Sequence, residues 1–209
     1  MSALRPGRFL ITLFILMAGM NSAVANDANN YSGLQYFAVD SNSTNQEGEQ
    51  GFKTSAVVGR MGSFINNYLA LEARVGFGLS DDKVTISGFD AALEHAIINQ
   101  YGIEIENIFG FYLLGNMPVS NYLNVYGLVG VSSVGVGTTF DQSKIHLASG
   151  SEVGSLNETD NLTKNGLSYG LGTSFKFAGK ASLNLEYMNY LDKSDFGLNT
   201  FSVGILFNF

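Results

Sequence analysis

The chain has 209 residues, with eleven basic against eighteen acidic side chains, a formal charge of −7 and no cysteine. The acidity argues against a nucleic-acid partner, and the missing thiols exclude a lipoprotein anchor, a disulfide framework and a thiolate metal site. Two prolines against 25 glycines suit long hydrogen-bonded strands whose small residues line a narrow interior.

In chain order, the first signal is at the N-terminus. Arg5 and Arg8 precede an apolar run from Phe9 to Met20, and Ala23-Val24-Ala25 forms an A-x-A cleavage pattern. This reads as a secretory signal peptide over 1–25, leaving 26–209 as one domain. The run falls short of the roughly 20 apolar residues that a membrane helix needs, and no later stretch comes closer. The remaining chain therefore either stays soluble outside the inner membrane or enters a membrane as a barrel. Without Arg5 and Arg8 it carries nine basic against eighteen acidic residues, a balance of −9.

Eight strand candidates follow, near 31–39, 51–64, 68–79, 104–116, 122–139, 166–177, 181–190 and 198–209. The turns after the second, fourth and sixth are short: Ile65-Asn66-Asn67, a stretch around Pro118, and Ala178-Gly179-Lys180. The connections after the first, third and fifth are long and polar. An even strand count with short turns on one side and long loops on the other predicts an all-β fold, an up-and-down antiparallel transmembrane barrel.

The faces are clearest in the third, sixth and seventh strands. Leu69, Leu71, Ala73, Val75, Phe77 and Leu79 share one parity, while Ala70, Glu72, Arg74, Gly76 and Gly78 take the other. Charges fall on the small-residue face, which must point inward if the opposite face meets lipid. Val75→Arg is therefore expected to cost far more stability than Gly76→Ser. The second and fifth strands allow either parity, through Val57-Val58 and the Val-Gly repeats of 129–137. In the last strand Phe201, Val203, Ile205, Phe207 and Phe209 alternate with smaller or more polar residues.

These patterns resemble the small eight-stranded outer-membrane barrels of the OmpA/OmpX type. The resemblance rests on 124–130 (NVYGLVG), 167–172 (LSYGLG), 183–187 (LNLEY) and the terminal 201–209 (FSVGILFNF). It implies a bacterial outer-membrane location after signal-peptide removal, contact with outer-membrane lipid and lipopolysaccharide, and a monomeric barrel. It also implies that Phe201, Val203, Ile205, Phe207 and Phe209 form an assembly signal read by the barrel-assembly machinery. The chain has no tryptophan, a departure that leaves Tyr31, Tyr68, Tyr122, Tyr187 and Tyr190 to serve the membrane interfaces.

Three places invite chemistry. Glu72, Arg74, Glu104, Glu106, Lys176 and Glu186, with Arg60 as a further candidate, predict an inward charge network that must pair or stay hydrated. Its surplus of negative charge would favour cations if the lumen conducts. The second long connection carries Phe89, Leu93 and Ile97 at i, i+4, i+8, the register of a short amphipathic helix able to bind a partner. The alternative is that this segment caps the barrel mouth or that the flanking strands rise as a hairpin. His95 and His146 fall in long connections, and His146-Leu-Ala-Ser149 lacks the His-x-Ser spacing of lipid deacylases. No catalytic residue, metal site or cofactor is assigned. The resulting expectation is a non-catalytic barrel acting through its loops in adhesion, colonisation or envelope interaction, through a host or cell-surface ligand. A narrow cation-preferring channel and a lipid A-modifying enzyme are the alternatives.

Overall fold

A computed structural model describes residues 30–45, 48–90, 95–146, 148–193 and 196–209; the expected signal peptide lies outside them. Eight strands follow in order: β1 (Asn30–Asn45), β2 (Gly48–Asn66), β3 (Leu69–Asp90), β4 (His95–Pro118), β5 (Leu123–His146), β6 (Glu152–Ala178), β7 (Ala181–Lys193) and β8 (Phe196–Asn208). Each pairs antiparallel with the next, and β8 returns to β1, closing the barrel. The seam is sealed at its base by Phe209 N–H donating to Asn30 O at 2.9 Å.

The short turns form where small polar side chains can replace missing ladder bonds. Asn66 Oδ1 accepts from the N–H groups of Tyr68 and Leu69, and Ser120 Oγ from those of Tyr122 and Leu123. Gly179 turns the β6–β7 corner at φ 50, a conformation that favours glycine.

The wall follows the two-residue period. Phe111, Leu171, Leu167, Phe201, Phe207 and Val203 are exposed outward, where a transmembrane barrel meets lipid. Their chain neighbours Tyr112, Ser168, Ser202 and Leu206 are buried inward. The two strands left ambiguous by sequence resolve to even-numbered residues inside. In β2 these are Ala56, Val58 and Arg60; in β5 they are Tyr126, Leu128, Ser132, Val134 and Val136.

The long connections differ most from expectation, because most of their residues continue the strands. β5 and β6 stay paired from Leu123↔Phe175 up to Ile145↔Glu152, and β4 and β5 up to His95↔His146. The ring itself ends lower, since β2–β3 pairing stops at Ser55↔Ser80, and β6–β7 pairing reaches only Tyr169↔Asn189. Above that level β3, β4, β5 and β6 rise together as a four-stranded sheet, and β1 and β2 rise separately as a two-stranded ribbon. Polar residues need no alternation in water, but every extended N–H and C=O still needs a partner, so pairing outlasts the hydrophobic pattern.

Phe89 and Ile97 accordingly lie on strands, opposite Ala96 and Gly88, and Leu93 lies outside the described residues. The helical register is overturned for the first two in favour of the rising hairpin. His95 and His146 also lie on strand ends, directly opposite each other, and not in free loops.

Candidate functional site

The barrel interior is filled. Arg60, Glu72, Arg74 and Glu186 are each at most 3% exposed. The guanidinium of Arg60 holds Glu72 through Nε–Oε1 at 3.2 Å and Nη2–Oε2 at 2.8 Å. Arg74 donates from Nε to Glu72 Oε1 at 2.6 Å, and grips Glu186 through Nη1–Oε1 at 2.6 Å and Nη2–Oε2 at 2.8 Å. Arg60 Nη1 lies 3.5 Å from Glu186 Oε2, which closes the ring of four. Two positive and two negative groups thus alternate from β2 to β3 to β7. This bidentate, fully desolvated geometry is the one in which buried charges can compensate each other.

Hydroxyls and an amide occupy the carboxylate positions that the guanidinium groups leave open. Tyr31 donates to Glu72 Oε2 at 2.6 Å, Tyr126 to Glu186 Oε2 at 3.0 Å, and Gln35 Nε2 to Glu186 Oε1 at 3.2 Å and to Ser202 Oγ. Arg74 also lies 4.9 Å from the Tyr112 ring centroid and donates to the Tyr190 hydroxyl at 3.2 Å. The tyrosines reach these positions because glycine stands opposite them. A Cβ on Gly62 would collide with the Tyr31 ring, and one on Gly172 with the Tyr126 ring.

On the rising-sheet side of this network Thr54, Ser168 and Thr200 are buried, but most inward residues there are apolar. They include Phe37, Ala56, Val58, Ile108, Val134 and Leu191, all at 1% exposure or less. Below the network, toward the short turns, the interior opens into a polar vestibule of about 440 Å³.

The six expected network residues divide accordingly. Glu72, Arg74 and Glu186 come together, joined by Arg60. Glu104 and Glu106 do not join them, because of the register shift between Ile105 and Asn107 on β4. The extra residue reverses inward and outward above it: Ile105 is buried, Ile103 packs against the core, and Glu104 is exposed. Lys176 keeps the inward parity but sits at the vestibule wall, exposed. The expected surplus of negative charge is therefore absent from the packed network.

Sequence reasoning also misplaced two tyrosines. Tyr31 and Tyr190, expected at the interfaces, are 3% and 1% exposed and bonded within the network, whereas Tyr68, Tyr122 and Tyr187 are exposed. A polar partner inside the barrel outweighs the headgroup preference of a tyrosine, and that partner belongs to a strand distant in sequence. Arg60, the further candidate, is buried inward, as counting alternate residues back from the Asn66 turn places it.

Other chemistry is sparse. His146 Nδ1 lies 3.5 Å from Ser149 Oγ at the exposed β5–β6 tip, and no cluster of three or more metal-ligating side chains occurs among the described residues.

A family described as Outer membrane protein beta-barrel domain matches residues 9–209. No curated protein matches the sequence. Among solved structures, Ail, the attachment invasion locus protein of Yersinia pestis, aligns at TM-score 0.52 and 12% identity, covering 88% of this chain and 100% of that one. The N-terminal β-barrel domain of Pseudomonas aeruginosa OprF aligns at TM-score 0.49 and 11% identity, over 88% and 100% of the two chains. Neisserial surface protein A aligns at 0.48 and 14%, over 86% and 96%. At these identities the likeness is one of fold.

Proposed function

The chain belongs to the outer-membrane β-barrel family, and from that premise we propose that it is a non-catalytic surface adhesin whose rising sheet captures an extended segment of a host or cell-surface protein. One observation carries this reading. Above the closed ring, β3 over 81–90 and β6 over 152–168 each lack a second paired strand among the described residues. Such an edge presents N–H and C=O groups in a row and is a template for strand addition. Val153, Leu156 and Leu162 are exposed along β6, offering side-chain contacts beside the main-chain ladder. Ile97, on β4 opposite Gly88 of the same sheet, is a further contact candidate.

The test is a proline scan over 156–163 in a non-adherent bacterium expressing the chain, scored by attachment to cultured epithelial cells. Proline removes one N–H, so attachment should fall at alternate positions, those whose N–H points away from β5, while surface yield holds. Attachment equal to wild type at every position would refute the edge as the binding element.

The same reading takes residues 1–25 as a cleaved signal peptide and treats the protein as a monomer in contact with lipid and lipopolysaccharide. It also takes the outward Phe201, Val203, Ile205 and Phe207, with Phe209, as the signal for the assembly machinery. Deleting Phe209 should lower the yield of heat-modifiable barrel in outer-membrane fractions. An undiminished yield would remove that role.

A further inference from the structure

The vestibule below the charge network has the features of a binding site. Its lining includes Arg60, Lys176 and Lys180 and, among the described residues, no carboxylate. The two carboxylates nearest in the lumen, Glu72 and Glu186, are already matched by Arg60 and Arg74, which leaves the ammonium groups of Lys176 and Lys180 as the cavity's uncompensated charge. Neither lysine forms an ion pair among the described residues.

The second observation is independent of charge. Asn184, on β7, is 0% exposed and lines the cavity, yet neither its Nδ2 nor its Oδ1 has a hydrogen-bond partner among the described residues. A buried carboxamide with both ends unmet is costly, and native interiors rarely leave one so without a molecule to satisfy it. Ser182 and Asn124 stand on the same wall, adding a hydroxyl and a second amide. Donors and acceptors of this kind beside two ammonium groups match a ligand that carries both a phosphate and hydroxyls. The volume of about 440 Å³ lies within the range of small-molecule sites.

We propose that the turn-side mouth of the barrel binds a small hydroxylated phosphate ester, with Lys176 and Lys180 holding the phosphate and Asn184, Ser182 and Asn124 holding the hydroxyls. The chemistry is shared by a free sugar or glycerol phosphate and by a glycerophospholipid headgroup reaching in from the adjacent leaflet. This site faces the opposite side of the membrane from the rising sheet and does not depend on the adhesin reading.

The full barrel, in nanodiscs of neutral phosphatidylcholine, is titrated with glycerol 3-phosphate while the side-chain amide resonances of Asn184 and Asn124 are followed. The titration is repeated in discs containing phosphatidylglycerol without added solute. Saturable shifts at Asn184 in the first arm assign a free solute, and shifts confined to the second arm assign a lipid headgroup. In K176Q/K180Q, which changes exposed side chains and should stay heat-modifiable, the affinity should fall by about tenfold or more, the loss of two charge-assisted contacts. The absence of saturable shifts in both arms would overturn the proposal and leave the vestibule to water. So would unchanged affinity in K176Q/K180Q, or equal shifts with uncharged glycerol.

Discussion

The rising sheet continues four of the eight strands that build the closed ring, yet opposite rules govern the side chains of the two regions. Within the ring the environment differs on the two faces of each strand. Leu171 is 68% exposed outward while Ser168 and Asn184 on the inner side are 0% exposed, and a one-residue slip would reverse every such assignment. In the sheet above, water lies on both faces, and the β6 residues from Glu152 to Thr163 are all exposed. Backbone pairing is continuous through both regions. Main-chain hydrogen bonding thus sustains the strand wherever a partner strand exists, while side-chain alternation records only where two faces meet two solvents.

Four substitutions put this contrast at risk, and unfolding in lipid vesicles can rank them. The chain has no tryptophan, so circular dichroism or heat-modifiable gel mobility is the suitable readout. Arg74→Met should have the largest effect, about 3–5 kcal/mol, because it leaves two buried carboxylates with a single guanidinium. A loss below about 1 kcal/mol, the scale of a surface ion pair, would show that the network is hydrated. Val75→Arg comes next, at about 2–4 kcal/mol near the membrane midplane; an unchanged midpoint would place Val75 outside the hydrocarbon.

Gly76→Ser follows at about 1–3 kcal/mol, which corrects the expectation that this inner-face change is mild. A Cβ at Gly76 would stand 2.7 Å from Val58 Cγ2 and 2.9 Å from Val57 O, and backbone cannot yield as a flexible side-chain tip can. Wild-type stability would show that β2 and β3 separate freely there. Leu162→Lys, in the exposed upper part of β6, should change stability by no more than about 0.5 kcal/mol. A larger loss would mean that this face of the sheet is covered.

Much was legible in the chain because the membrane imposes a strong local signal. Leu69 to Leu79 and Phe201 to Phe209 alternate so regularly that strand, face and closure follow from a period of two. Asn66, Pro118 and Gly179 mark the turns by their own chemistry. Three inward charges, Glu72, Arg74 and Glu186, were readable from parity alone. Arg60 was nearly so, hidden by the adjacent Val57-Val58, which fits either face.

What the sequence by itself determined is the barrel: its strand count, its turns, its lipid face and three of the charges turned inward, Glu72, Arg74 and Glu186. Only the tertiary structure decided which of those residues meet. Glu104 and Glu106 leave the network because a register shift at Ile105 and Asn107 changes parity without changing the alternation on either side of it. Tyr31 and Tyr190 enter the network because their partners lie on strands 41 and 116 residues away. Of the rising sheet the sequence suggested only the β3–β4 hairpin, as an alternative, for the complementary reason that its strands are held by backbone hydrogen bonds that every residue except proline can donate. Side-chain pattern carries information only where burial selects it, and pairing, bulges and unpaired carboxamides are properties of chain segments brought together from a distance.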